Sequence, residues 1–196
     1  MRAIQPIAQN EQIYNTYGNR PNSDLLRGYG YVISGSKDDS VEISADLIID
    51  TISRLPELEV RRRVDILDEE GWFEECVRLR VCANFRAYEI LYSGKIPEEM
   101  YVFCLSIMAD NLEEGTIPQY HKTAELKRAL LDILSKRMGE YPTSVEEDVA
   151  LLSTQLETRK RMAIEVRLGE KRILRKAIGT IEACIVEPPA KRMKMS

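Results

Sequence analysis

Apolar residues return every three or four positions through most of this chain, the period of a helix with one buried face. Leu47, Ile48, Ile52 and Leu55 mark one such helix, which must end before Pro56. A second is expected over 57–69, ending near Gly71, with Leu58, Val64 and Leu67 on its face and Arg61, Arg62 and Arg63 between them. Residues 85–92 read as a short helix stopped by Gly94 and Pro97. Met100, Phe103, Cys104, Ile107 and Met108 mark the next helix, and its methionines belong to a core. Leu126, Ala129, Leu130, Ile133 and Leu134 mark another, ended by Gly139. Thr143 with Glu146, and Ser144 with Glu147, form two overlapping capping boxes that open a helix holding Val149, Leu151 and Leu152. The longest helix is expected over 156–184, with a stripe of Met162, Val166, Ile173, Ala177, Ile181 and Cys184.

Strand-like patterning is confined to short pieces. Residues 13–17 are rich in β-branched and aromatic residues and stop at Gly18. A turn at Asn19, Arg20 and Pro21 follows. Asn22 or Ser23 can then cap a short helix over 24–27, with Asp24 in its first turn, and a strand resumes at Tyr31. Residues 34–40 are a turn-rich loop, 41–43 a brief strand, and 77–81 alternate apolar and arginine positions as a strand does. Trp72, beside an acidic turn, reads as core. The pattern as a whole predicts a mainly α fold with a small β part at the front.

Composition narrows the class. The 196 residues, 44% hydrophobic and 31% charged, suit one globular domain or slightly more. A net charge of −4 gives no nucleic-acid signal, and no apolar run approaches the roughly 20 residues of a membrane span. The opening residues have no apolar core, so no signal peptide is expected. Cys76, Cys82, Cys104 and Cys184 are scattered, which points to free thiols in a reducing compartment and away from a metal site. The lone histidine, His121, reads as a surface residue at a helix start. Charge is uneven along the chain: residues 38–75 hold thirteen acids against four bases, and 157–176 hold eight bases against three acids. The acidic run is either a set of solvated helix faces or a surface that attracts lysine-rich protein segments.

One stretch carries chemistry. Glu11, Ile13, Tyr17 and Gly18, then Asn22, Ser23, Leu25 and Leu26, then Tyr29, Gly30, Tyr31 and Val32 stand in an order that resembles the C-terminal end of a SET domain. The resemblance is to Rubisco large-subunit and ribosomal-protein lysine methyltransferases. Residues 141–152 and 159–174 are similar to late helices of the all-helical lobe that follows the SET domain in that family and holds the protein substrate. The resemblance implies a helical substrate-binding lobe preceded by a small β-containing remnant of a SET domain. The expected divisions are 1–33 for the SET end, 34–186 for the helical domain and 187–196 for a basic tail.

The family transfers a methyl group from S-adenosylmethionine to a lysine amine, an in-line displacement in which positioning supplies much of the rate. By resemblance Tyr17 is the catalytic tyrosine and lies near the cofactor, Tyr29 lines the lysine channel, and Tyr31 packs near the adenine. Aromatic walls suit a lysine stem and its cationic states. The implied partner is a lysine-rich protein such as a ribosomal protein or a histone, with no direct nucleic acid and no membrane. The family's glycine-containing cofactor motif and its asparagine-histidine motif belong upstream of this stretch and do not occur here. The chain is therefore expected to be a fragment that is inactive alone; the alternative is a stand-alone helical protein-interaction module without chemistry. Lys191, Arg192 and Lys194, behind Pro188 and Pro189, resemble a nuclear import signal, so nuclear residence is expected alongside cytoplasmic.

Overall fold

The computed structural model describes residues 6–13, 17–72, 87–113, 116, 118 and 123–184. Among them seven helices surround one two-stranded sheet: α1 (Asn22–Tyr29), β1 (Ser40–Ser44), α2 (Ala45–Ile52), α3 (Glu57–Glu69), β2 (Ala87–Leu91), α4 (Glu98–Met108), α5 (Ala124–Gly139), α6 (Val145–Leu152) and α7 (Thr158–Ala183). The protein is mainly α, as its periodicity predicts.

The sheet is antiparallel, pairing Ser40 with Leu91 and Ser44 with Ala87. Val41, Ile43, Tyr88 and Ile90 fill its inner face, while Glu42 and Glu89 stand opposite one another outside. A strand over 87–91 stands where the helix expected over 85–92 would continue; residues 85 and 86 of that expectation lie outside the described residues. Its apolar run is too short for the period alone to decide, and pairing with β1 buries Tyr88 and Ile90 at a spacing of two. The strands expected over 13–17 and from Tyr31 do not form at Ile13, Tyr17 or 31–33, where the chain is irregular. Residues 14–16 of the first lie outside the described residues, as do the strand expected over 77–81, His121, Cys76, Cys82 and the basic tail.

Helices α2, α4, α5 and α7 close over the sheet in one core that includes Ile48, Phe103, Leu130, Ile133, Leu174 and Ala177. Trp72 packs against it half-buried. Caps set the helix starts. The Ser44 hydroxyl accepts from Leu47 N at 3.1 Å, and that of Thr123 from Leu126 N at 3.1 Å. Of the two capping boxes only one is built: Ser144 Oγ accepts from Glu147 N at 3.0 Å while Ser144 N donates to Glu147 at 2.6 Å. Thr143 instead donates to Asp148 at 2.7 Å. Cys104 is a buried free thiol, which burial pushes up to about 12, and Cys184 is half-buried.

Three helices bury a face other than the expected one. On α3, Leu58 is exposed and Arg63 is buried. The Arg63 guanidinium donates to Glu59 at 2.8 Å and to the carbonyls of Ser106 and Ala109 at 2.7 Å each. It therefore satisfies the open end of α4 with a cation placed where the dipole favours one. Hydrogen bonds from Arg62 and Arg63 hold the Glu59 carboxyl down at about 2. On α6, Val149 faces solvent and Asp148 is buried. On α7 the expected stripe holds at Ile173, Ala177 and Ile181, but toward its start the buried positions are Ile164, Leu168 and Lys171, not Met162 and Val166. Lys171 pairs with Asp148 and donates to the carbonyls of Thr143 and Ser144 at 2.9 Å each. Arg167 adds a bond to Asp148 at 2.9 Å. Burial opposes ionisation of Asp148, yet bonds from Arg167, Lys171 and Thr143 outweigh it and hold the carboxyl below its usual range.

Candidate functional site

The site is built on α1. Pro21 starts this helix with its fixed φ, and no side chain caps it, so the expected capping role of Asn22 or Ser23 is not taken up. The helix runs on through Gly28 to Tyr29. Gly30, at φ 76°, closes it by returning its N–H to Leu26 O at 3.1 Å. That left-handed turn reverses the chain and carries Tyr31 back past Tyr29. Before the helix, Arg20 Nε donates to Tyr17 O at 3.0 Å and folds the 17–20 turn.

The three tyrosines thereby meet. The Tyr17 and Tyr29 rings lie 3.9 Å apart between centroids, and Tyr17 and Tyr31 lie 6.1 Å apart, both pairs tilted. Tyr17 and Tyr29 keep 45% and 46% of their surface open, and Tyr31 is half-buried. Aromatic faces of this kind fit an adenine or a cation on one side. With its two most open rings tilted against one another, the cluster among the described residues offers one wall for such a group.

Asn22 holds the cluster closed. Its side chain accepts from Ile33 N at 2.7 Å and donates to Ile33 O at 2.9 Å, so the residues on either side of the tyrosine loop are pinned together. Its backbone N–H donates to Asp39 at 3.0 Å. Asp39 is buried, and burial raises its carboxyl above the usual range although bonds from Asn22 and Ser40 act against this. Asp39 in turn lies against α7. A Cβ on Gly169 would stand 2.5 Å from its Oδ2, so only glycine lets the carboxylate approach there. The chain Ile33, Asn22, Asp39, Gly169 thus ties the tyrosine corner to the helical core. Asn22 as a clamp, Asp39 and Gly169 all escaped the sequence reading; the single signal was a glycine inside a helix with no turn to explain it.

Two grooves flank Asp39. One, of about 490 Å³, starts at Tyr17 and is lined by Asp24, Asp38, Glu42 and Glu89, with Arg20 and Lys37 beside them. The acidic run therefore contributes Asp38, Asp39 and Glu42 to the site. Farther along it, Glu57 and Glu59 are spent on the arginines of α3. The other groove, of about 630 Å³, lies across the 34–36 loop against α6 and α7 and carries Arg161, Arg172, Arg175 and Lys176. The acidic and basic segments, distant in sequence, thus come to opposite sides of one residue. Among the described residues no cluster of histidine, cysteine and carboxylates could hold a metal ion, and no helix is long and apolar enough to cross a membrane.

Fold and site together define a helical lobe on a small sheet, with a tyrosine-bearing corner pinned to its longest helix. The chain belongs to the Rubisco LSMT substrate-binding family, whose sequence model matches residues 59–174. Its relatives are SET-domain lysine and histidine methyltransferases. The actin-histidine N-methyltransferase of Callithrix jacchus is 27% identical over 192 residues, covering 90% of this chain and 30% of that protein. Ribosomal lysine N-methyltransferase 4 of Saccharomyces cerevisiae is 40% identical over 79 residues, 38% of this chain and 16% of that protein. Human N-lysine methyltransferase SETD6 is 27% identical over 201 residues, 89% of this chain and 42% of that protein. The chain therefore spans less than half the length of each of these relatives. Rubisco LSMT bound to AdoMet has the same fold, with a TM-score of 0.63 at 18% identity over 88% of this chain and 41% of that one.

Proposed function

We propose that this chain is the substrate-holding part of an S-adenosylmethionine-dependent protein methyltransferase, and that it brings the catalytic tyrosine with it. The observation that carries the reading is the meeting of Tyr29 and Tyr31 on Tyr17, which itself lines a groove rich in carboxylates. Tyr17 would orient the acceptor nitrogen, Tyr29 would line its channel, and Tyr31 would sit with Tyr17 against the cofactor. S-adenosylmethionine, when bound, supplies the electrophilic methyl group. The chain's own residues act by position: a phenol hydroxyl accepts or donates one hydrogen bond without competing as a strong base, and ring faces favour a cationic stem. The carboxylates of Asp24, Asp38, Glu42 and Glu89 favour an acceptor lysine flanked by basic residues, as ribosomal proteins and histones offer.

The test is a radiolabelled methyl-transfer assay on ribosomal-protein and histone extracts, with the protein as expressed in its host. Transfer should fall at least ~100-fold in Tyr17→Phe, because small misplacements of the reacting groups carry penalties of that order. It should also weaken as salt rises past ~0.15 M, where the screening length is about 8 Å. Transfer indifferent to Tyr17 would leave the chain as a protein-interaction module without chemistry. The basic residues Lys191, Arg192 and Lys194 support a further proposal of nuclear import. Residues 183–196 fused to a fluorescent cargo should concentrate it in the nucleus; evenly spread cargo would rule the signal out.

A further inference from the structure

We propose that the basic groove on α7 docks a second, carboxylate-rich and apolar segment of the methyl-accepting protein, so that the acceptor is recognised by a bipolar charge pattern. This deepens the reading above, that the lobe holds a protein acceptor. The groove is a recess of about 630 Å³, within the range of ligand-sized clefts. Its cations are in different states of engagement. Arg172 is exposed and makes no ion pair or hydrogen bond among the described residues. Arg175 is bound to Glu146 at 2.8 and 3.0 Å, but both side chains are at least half exposed, so a ligand carboxylate can replace Glu146 at little cost. Lys176 donates to Tyr92 O at 2.9 Å and lies 3.5 Å above the Tyr92 ring, which fixes its ammonium at the groove and leaves two N–H bonds for a ligand.

Two observations choose a peptide over a nucleic acid. Beside the cations the lining holds Leu152, Leu168, Ile173 and an exposed Val149, which suit side chains such as leucine and not a sugar-phosphate backbone; of its two carboxylates, Glu165 is engaged by Arg161 at 3.2 Å and Asp39 by Asn22. The chain is also acidic overall at −4, and the carboxylate groove lies just across Asp39, so a long polyanion would meet repulsion as it extended. A protein segment acidic at one end and basic at the other meets attraction in both grooves.

The test is fluorescence anisotropy on the full chain with a short fluorescein-labelled peptide of alternating glutamate and leucine. The comparison probes are an oligouridylate and inorganic phosphate. The peptide should bind, and Arg172→Glu and Arg175→Glu should each weaken it roughly tenfold, with Arg172→Ala intermediate. Arg128→Glu, on the exposed face of α5, should leave it unchanged, and circular dichroism should show all variants folded. Tyr17→Phe should also leave peptide binding unchanged, so that failure of the catalytic reading and failure of the groove are told apart. Equal peptide affinity in the Arg172, Arg175 and Arg128 variants, tighter binding of oligouridylate than of the peptide, or displacement of the peptide by phosphate alone would each overturn the proposal.

Discussion

Asp148 and Lys171 show what a buried charge does in this protein. Neither side chain reaches solvent, and each satisfies the other together with the cap of α6. Removing one partner leaves the other charge buried and unpaired, which is strongly destabilising. Asp148→Asn should therefore lower the unfolding free energy by about 3 kcal/mol in urea titration. The pH dependence has a definite sign. The folded Asp148 carboxyl lies below its ordinary value of 3.8, so its contribution is fully present above that value and is lost as pH falls through the lower folded one. Acidification below about pH 4 should cost the parent protein stability that the Asp148→Asn variant has already lost, so the gap between their urea midpoints should narrow with falling pH. A gap that stayed constant would place the carboxylate outside the network.

At the scale of elements, α7 is the surface on which α1, α5, α6 and both strands are registered, and two glycines set how closely their neighbours approach it. Gly94, at φ 79°, follows β2, and a Cβ there would lie 2.8 Å from Lys176 Cβ and 2.9 Å from Ala177 N. Gly94→Ala meets both backbone strain and a helix that cannot move aside, and should destabilise by about 3 kcal/mol with little change in denaturant slope. Gly169→Ala is a contest. Helix propensity favours alanine by about 1 kcal/mol, but its Cβ must displace the buried Asp39 carboxylate. We expect the displacement to win, and the readout is local: the amides of Asn22 and Ile33, which donate to Asp39 and to Asn22, should exchange faster with solvent. The same contrast explains what was legible beforehand. Helices α4 and α5, and the bounds of α3 though not its buried face, could be read because their apolar runs stand between clear breakers. β2 could not, because Tyr88 and Ile90 become a strand only through pairing with a partner far along the chain. Arg63, Asp148 and Lys171 were unreadable for another reason: periodicity assigns charged residues to the outside, and only tertiary partners make burial tolerable. At the site, the motif marked the tyrosines, but the residues that pin them looked like an ordinary cap and one acid among many.

At the scale of the molecule, the tyrosine corner is well anchored and poorly enclosed. Asn22, Asp39 and Gly169 fix it to a core that spans β1 to α7, so the backbone that bears the tyrosines should be rigid when this chain is made alone. Enclosure is a separate matter. Tyr17 and Tyr29 leave 45% and 46% of their surface open, and their tilted rings lie 3.9 Å apart, so among the described residues they offer one aromatic wall and no opposing one. Small-molecule sites bury about 70–90% or more of their ligand, and a cofactor resting on a single wall falls well short of that. The 196-residue chain alone should therefore fold cooperatively, yet show no S-adenosylmethionine binding at micromolar concentration by calorimetric titration and no methyl transfer to ribosomal protein extract. Polypeptide that covers the open faces of Tyr17 and Tyr29 should restore both, and Tyr17→Phe should then abolish transfer while leaving the fold intact. Micromolar binding by the chain alone, with transfer lost in Tyr17→Phe, would mean that these residues complete a cofactor site unaided.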